Sequence, residues 1–171
     1  FRTITHTYDN ACDAICNICF STREVGDHVY DDICDGDCNE CGFNRYDAFG
    51  VSGDCNWYVV NGVLTINGNG AMADYTKESG APWGKDITEI IFVGDITEIG
   101  EYAFFECPLL ENVIIPETVK SVEKRAFQSC EGLKTLIIGN FVKELGQGAF
   151  GGCEALTDVV IGDSLTVISE S

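Results

Sequence analysis

Leu110-Glu-Asn-Val113-Ile-Ile115-Pro-Glu-Thr-Val119-Lys-Ser-Val122-Glu-Lys-Arg-Ala126-Phe127-Gln-Ser-Cys130 returns as Leu133-Lys-Thr-Leu136-Ile-Ile138 and then Ala149-Phe150-Gly-Gly-Cys153. A partial copy precedes it, from Ile87-Thr-Glu-Ile90-Ile-Phe92 to Ala103-Phe104-Phe-Glu-Cys107. Like residues recur every 23 positions: Phe104, Phe127 and Phe150; Ala103, Ala126 and Ala149; Cys107, Cys130 and Cys153; Leu110, Leu133 and Leu156; Ile99, Val122, Leu145 and Ile168. A fixed period of about 20–30 residues with apolar anchors marks a solenoid. Each unit is too small to bury its own apolar face, so it stacks on its neighbours.

Alternate residues of a strand face opposite sides. Val113 and Ile115, with Leu136, Ile138, Val159 and Ile161, are therefore expected to point inward, and the three phenylalanines to stack. The cysteine column should be a ladder of buried free thiols, because stacked equivalents point their Cβ atoms in parallel and suit a disulfide poorly. Ile91, Ile114, Ile137 and Val160 should project outward from a concave sheet, flanked by Glu89, Asn112, Thr135 and Asp158. An apolar stripe in a concavity is a candidate ligand-binding face. The plainer explanation is that β-branched residues favour a pleated sheet.

Upstream, Trp57–Val60 and Val63–Ile66 are β-prone runs joined by Asn61-Gly62, a strong hairpin signal. Residues 49–85 are read as a cap over the first coil, with Trp57, Leu64, Ile66, Met72, Tyr75 and Trp83 as the covering side chains. Gly68-Asn-Gly70-Ala-Met-Ala73 fits a dinucleotide-binding pattern, but it follows a hairpin and Pro82 interrupts the helix that the motif needs.

The first 48 residues have a separate period of 22. His6, Cys12, Cys16 and Cys19 recur as His28, Cys34, Cys38 and Cys41, each set spaced H-x5-C-x3-C-x2-C. Three thiols and one imidazole per unit suit a closed tetrahedral zinc site, so two structural zinc ions are expected. Ligands exchanged between the units, or disulfides among these cysteines and Cys55, are the alternatives. A segment with so little aliphatic content needs a staple of some kind. The aspartates at 31, 32, 35 and 37 lack the spacing of a calcium loop and read as a solvated surface.

The chain has 171 residues and a net charge of −18. That charge repels phosphate backbones and anionic membrane surfaces, so nucleic acid is not an expected partner, and no apolar run approaches the roughly 18 residues of a membrane span, so no direct membrane insertion is expected. Both histidines are claimed by the metal units, which leaves a serine or cysteine nucleophile without an imidazole base. Zinc held by four protein ligands keeps no open position for water. No enzyme is expected. The chain opens on Phe1 and stops soon after Ile168, within a fresh repeat, so the array is expected to continue in a longer parent protein.

Leu-x-x-Leu-x-Leu is the strand segment of a leucine-rich repeat. With the added Ala-Phe-x-x-Cys and the Ile-Pro or Ile-Gly strand ends, the units resemble the BspA-like (Treponema-type) leucine-rich repeats. The stretch from Asn56 to Trp83 and the His/Cys units look like segments that precede such arrays in gut-dwelling bacteria. The resemblance implies a secreted or surface-displayed bacterial protein with no catalytic residues, sometimes an adhesin. The expected fold is mostly β: a leucine-rich-repeat solenoid over 86–171, a β-hairpin cap over 49–85 and a metal- or disulfide-stapled segment over 1–48. The expected role is a binding or display module for an extracellular protein or glycan. A structural spacer with no ligand of its own is the alternative.

Overall fold

The computed structural model describes residues 47–169, and among them every regular element is a strand. These are β1 (Ala48–Ser52), β2 (Cys55–Val60), β3 (Val63–Gly68), β4 (Gly70–Ala71), β5 (Glu89–Val93), β6 (Ile96–Ile99), β7 (Asn112–Ile115), β8 (Ser121–Val122), β9 (Thr135–Ile138), β10 (Glu144–Leu145), β11 (Asp158–Ile161) and β12 (Val167–Ile168). They pair into three sheets, ordered β1-β2-β3-β5, β7-β9-β11 and β4-β6-β8-β10-β12. Val113 pairs with Leu136 and Leu136 with Val159, so parallel register follows the sequence period. The molecule is the solenoid that the repeat predicts, with rungs at β3, β5, β7, β9 and β11.

A third side of each coil is also laddered, without regular strands. Phe104 N–H donates to Ala126 O at 2.7 Å, and Phe127 N–H donates to Ala149 O at 2.7 Å. Two positions in each of these turns have positive φ: Tyr102, Arg125 and Gly148 in one column, Glu106, Ser129 and Gly152 in the other. Left-handed backbone costs a non-glycine residue roughly 1–2 kcal/mol. Its return in successive coils marks it as part of the coil's own geometry, offset by the hydrogen bonds it permits.

The core is a column. Phe104 and Phe127 stack at 4.7 Å and 16°, and Phe127 and Phe150 at 5.1 Å and 7°. Val113, Ile115, Leu136 and Ile138 are buried beside them, as alternation predicts. Val159 and Ile161 depart from the expectation: they hold the inward register but are 45% and 50% exposed. Burial in a solenoid comes from the neighbour on each side, and among the described residues no coil follows theirs.

At the other end, Asn61 and Gly62 have φ of 51° and 79°. Two successive positive φ values make the tight turn whose twist suits a hairpin. The second hairpin strand is more than a cover. Leu64 pairs in parallel with Ile90, and β4 pairs with β6, so this stretch supplies a rung of its own. Trp57, Leu64, Ile66, Met72 and Trp83 are buried. Trp83 stacks on Phe104 at 5.6 Å and meets Trp57 edge-on at 5.6 Å, joining the hairpin to the phenylalanine column.

The ladder is interrupted once. β5 and β7 belong to different sheets, while β6 and β8 on the opposite side stay paired. Phe92 stands at this break, in the column where later coils have Ile115, Ile138 and Ile161. Its ring packs edge-on to Phe104 at 6.3 Å.

Candidate functional site

The outward residues of β7, β9 and β11 form one line. Ile114 pairs with Ile137, and Ile137 with Val160. Asn112, Thr135 and Asp158 form a second line two residues away, also in register. Ile114 is 62% exposed, Val160 is exposed and Ile137 is half-buried. Ile91, 42% exposed, continues the line across the break between β5 and β7. Strand alternation leaves these side chains outside because their neighbours at 113, 115, 136 and 138 are needed inside.

The line extends further than the 23-residue period shows. Ile91 pairs with Thr65, Thr65 with Tyr58, and Tyr58 with Phe49. Thr65 is buried, Tyr58 half-buried and Phe49 exposed, so two aromatic residues share the face beyond a buried threonine. Their signal in the sequence is alternation within β1 and β2. It becomes readable only when the antiparallel register is known. Beside this face an ion pair closes one rung to the next, Lys134 Nζ donating to Glu111 Oε1 at 2.7 Å.

The cysteine column runs along the inside, with Cys107 and Cys130 buried as expected and the terminal Cys153 only half-buried, since among the described residues no coil covers it. Cys130 Sγ donates to Phe104 O at 3.1 Å, and Cys153 Sγ to Phe127 O at 3.3 Å. Cys55, Cys107, Cys130 and Cys153 are free thiols. Hydrogen bonding with Cys107, ahead of burial, pushes the Cys130 thiol up to about 12. Cys153 is raised too, by hydrogen bonding with Cys130 and then by burial. A thiol held protonated is a poor nucleophile and a poor metal ligand. This ladder is structural.

The residues His6, Cys12, Cys16, Cys19, His28, Cys34, Cys38 and Cys41 lie outside the described residues. Among the described residues no three His, Cys, Asp or Glu side chains converge to hold a metal ion. Among them, too, no helix is long and apolar enough to cross a membrane.

The family profile for the BspA type leucine rich repeat region matches residues 82–171, in six copies. A leucine-rich repeat protein from Eubacterium ventriosum is similar over 72% of this chain at 30% identity, with a TM-score of 0.58. The T. pallidum leucine rich repeat protein is similar over 72% of the chain at 18% identity, with a TM-score of 0.51, and bears on the fold alone. The chain spans 40% of the first protein's length and 62% of the second's. No curated protein matches the chain by sequence.

Proposed function

Since this chain belongs to the BspA-type leucine-rich repeat family, we propose that it is a non-catalytic binding module presenting the outer face of its parallel sheet to an extracellular protein or glycan. The observation that carries this reading is the line Ile91, Ile114, Ile137 and Val160, apolar and solvent-facing on a rigid ladder and edged by Asn112, Thr135 and Asp158. Exposed apolar surface rimmed by polar groups is what a binding face offers. The setting that goes with it is the surface or surroundings of a bacterial cell, as the family resemblance implies.

The test is a double substitution, Ile114→Glu with Ile137→Glu, read on an array of glycans and extracellular proteins. Buried carboxylates at the centre of a contact should weaken a captured ligand by about 30-fold or more, the size of a 2 kcal/mol hot spot. Thermal unfolding should shift modestly: neither side chain is part of the core, while the two paired carboxylates repel across neighbouring strands. If affinity and fold both survive, the face is not the binding surface; if the unaltered chain captures nothing on the array, the spacer role stands.

For residues 1–48 we propose two structural zinc ions, one on His6, Cys12, Cys16 and Cys19, the other on His28, Cys34, Cys38 and Cys41. The support is the shared H-x5-C-x3-C-x2-C spacing. Elemental analysis should return about two zinc per chain. A chelator should remove them and leave the unfolding of the solenoid unchanged, since repeats communicate with adjacent units. No zinc, with structure lost on reduction, would assign disulfides instead.

A further inference from the structure

The turns that join β7 to β8 and β9 to β10 carry a second candidate site, away from the sheet face. A cavity of about 350 Å³ is lined there by Glu117, Thr118, Lys120, Phe141 and Lys143. Small-ligand sites occupy about 300–1,000 Å³.

Its residues break the repeat. The column holding Phe141 is Asp95, Thr118 and Ser164 in the other coils, so the coil itself asks for a small polar residue. Phe141 is instead 61% exposed and outside the core. Folding does not explain it, whereas a ring left in water is a ready platform for a ligand.

Lys120 and Lys143 are stacked. Lys143 N–H donates to Lys120 O at 2.8 Å, and the same column holds Thr97 and Thr166 in the flanking coils. Rungs lie roughly 4.7–4.9 Å apart, and like charges directly opposite each other on neighbouring strands repel. Among the described residues neither ammonium has an ion-pair partner, although Lys85 pairs with Glu106 and Lys134 with Glu111. Glu117 is committed elsewhere: Asn140 N–H and Nδ2 donate to its two oxygens at 2.6 and 3.1 Å, which fixes the turn that presents Phe141. Glu117 keeps its charge and is the one carboxylate of the lining, set against two ammonium groups, so the cavity has an excess of positive charge that favours an anion.

We propose that this cavity binds an acidic saccharide. The apolar face of its pyranose lies on the Phe141 ring, and its carboxylate sits between Lys120 and Lys143. A bare inorganic anion has no use for the ring. A peptide strand would look for backbone partners, and at the charged edge the N–H groups of Lys120 and Lys143 are already donated within the protein. The site is independent of the sheet face, and it stands even if that face binds nothing.

The experiment is a titration of the full chain with a glucuronic-acid-terminated disaccharide and its glucose-terminated counterpart, followed by NMR. The acidic sugar should bind at least 10-fold more tightly, and the preference should fade as salt rises. Phe141→Ala should weaken it at least 10-fold with an unchanged melting temperature. Lys120→Gln with Lys143→Gln should erase the preference for the acid, and Phe141→Trp should preserve binding. The proposal is overturned if neither sugar binds at millimolar concentration, if both bind equally, or if binding ignores Phe141 and the lysine pair. Tighter binding of an acidic peptide than of the sugar would overturn the ligand class.

Discussion

Replacing Phe127 with alanine should lower the unfolding free energy by about 3–5 kcal/mol, the usual loss for an aromatic ring in a packed core. Phe127 is fully buried, with Phe104 on one face and Phe150 on the other. Alanine would leave a cavity in the middle of the column. The coil cannot collapse into it, because its backbone is tied on three sides to the following coil and on two to the preceding one. Domains of this kind are stable by only about 5–15 kcal/mol, so the loss is a large share of the total. Urea unfolding followed by far-ultraviolet circular dichroism measures it. A loss below about 1 kcal/mol would mean that the ring is not a structural pillar.

Trp83→Ala should have a comparable effect, about 3–5 kcal/mol, by a different route. The indole bridges two parts of the molecule. It contacts Trp57 and Tyr75 edge-on and stacks on Phe104. Its Nε1–H donates to Ala103 O at 3.0 Å in a buried setting. Removing it opens a void and strands a buried carbonyl, which adds to the penalty. Damage should concentrate at the junction, since coupling in a stacked array falls off beyond the adjacent unit. Hydrogen exchange should therefore quicken in β1–β4 far more than in β9–β10. Trp57, the one tryptophan left, should shift its emission to the red. Uniform protection across the chain would show that the hairpin holds on without this side chain.

Much of this architecture was legible in advance because a repeat states each rule several times. Leu110, Val113, Ile115, Phe127 and Cys130 have equivalents one period away, and all five are buried. The hairpin was legible at Asn61-Gly62 because few dipeptides accept two positive φ values in succession. The rung formed by β3 was hidden. Leu64 pairs with Ile90, a separation of 26 where the array keeps 23, so it falls out of phase with every other column. The break between β5 and β7 was hidden as well, since Ile87–Cys107 keeps the period while its strand leaves the ladder.

The candidate sites divide the same way. The outward line through Ile114 and Ile137 follows from two-residue alternation, so it was readable without coordinates. Phe49 and Tyr58 join it only through antiparallel pairing, which no period encodes. Phe141 breaks a polar column of the repeat, but its meaning depends on Lys120 and Lys143 arriving beside it, neither of them in an ion pair among the described residues.

By itself the order of residues determined which side chains turn inward and that like meets like, because a constant period forces one register on a chain that must bury its apolar face. Tertiary structure alone decided where that register begins, where it parts, and which lysines share a cavity with an exposed ring. Those outcomes depend on distances between segments whose separations do not repeat.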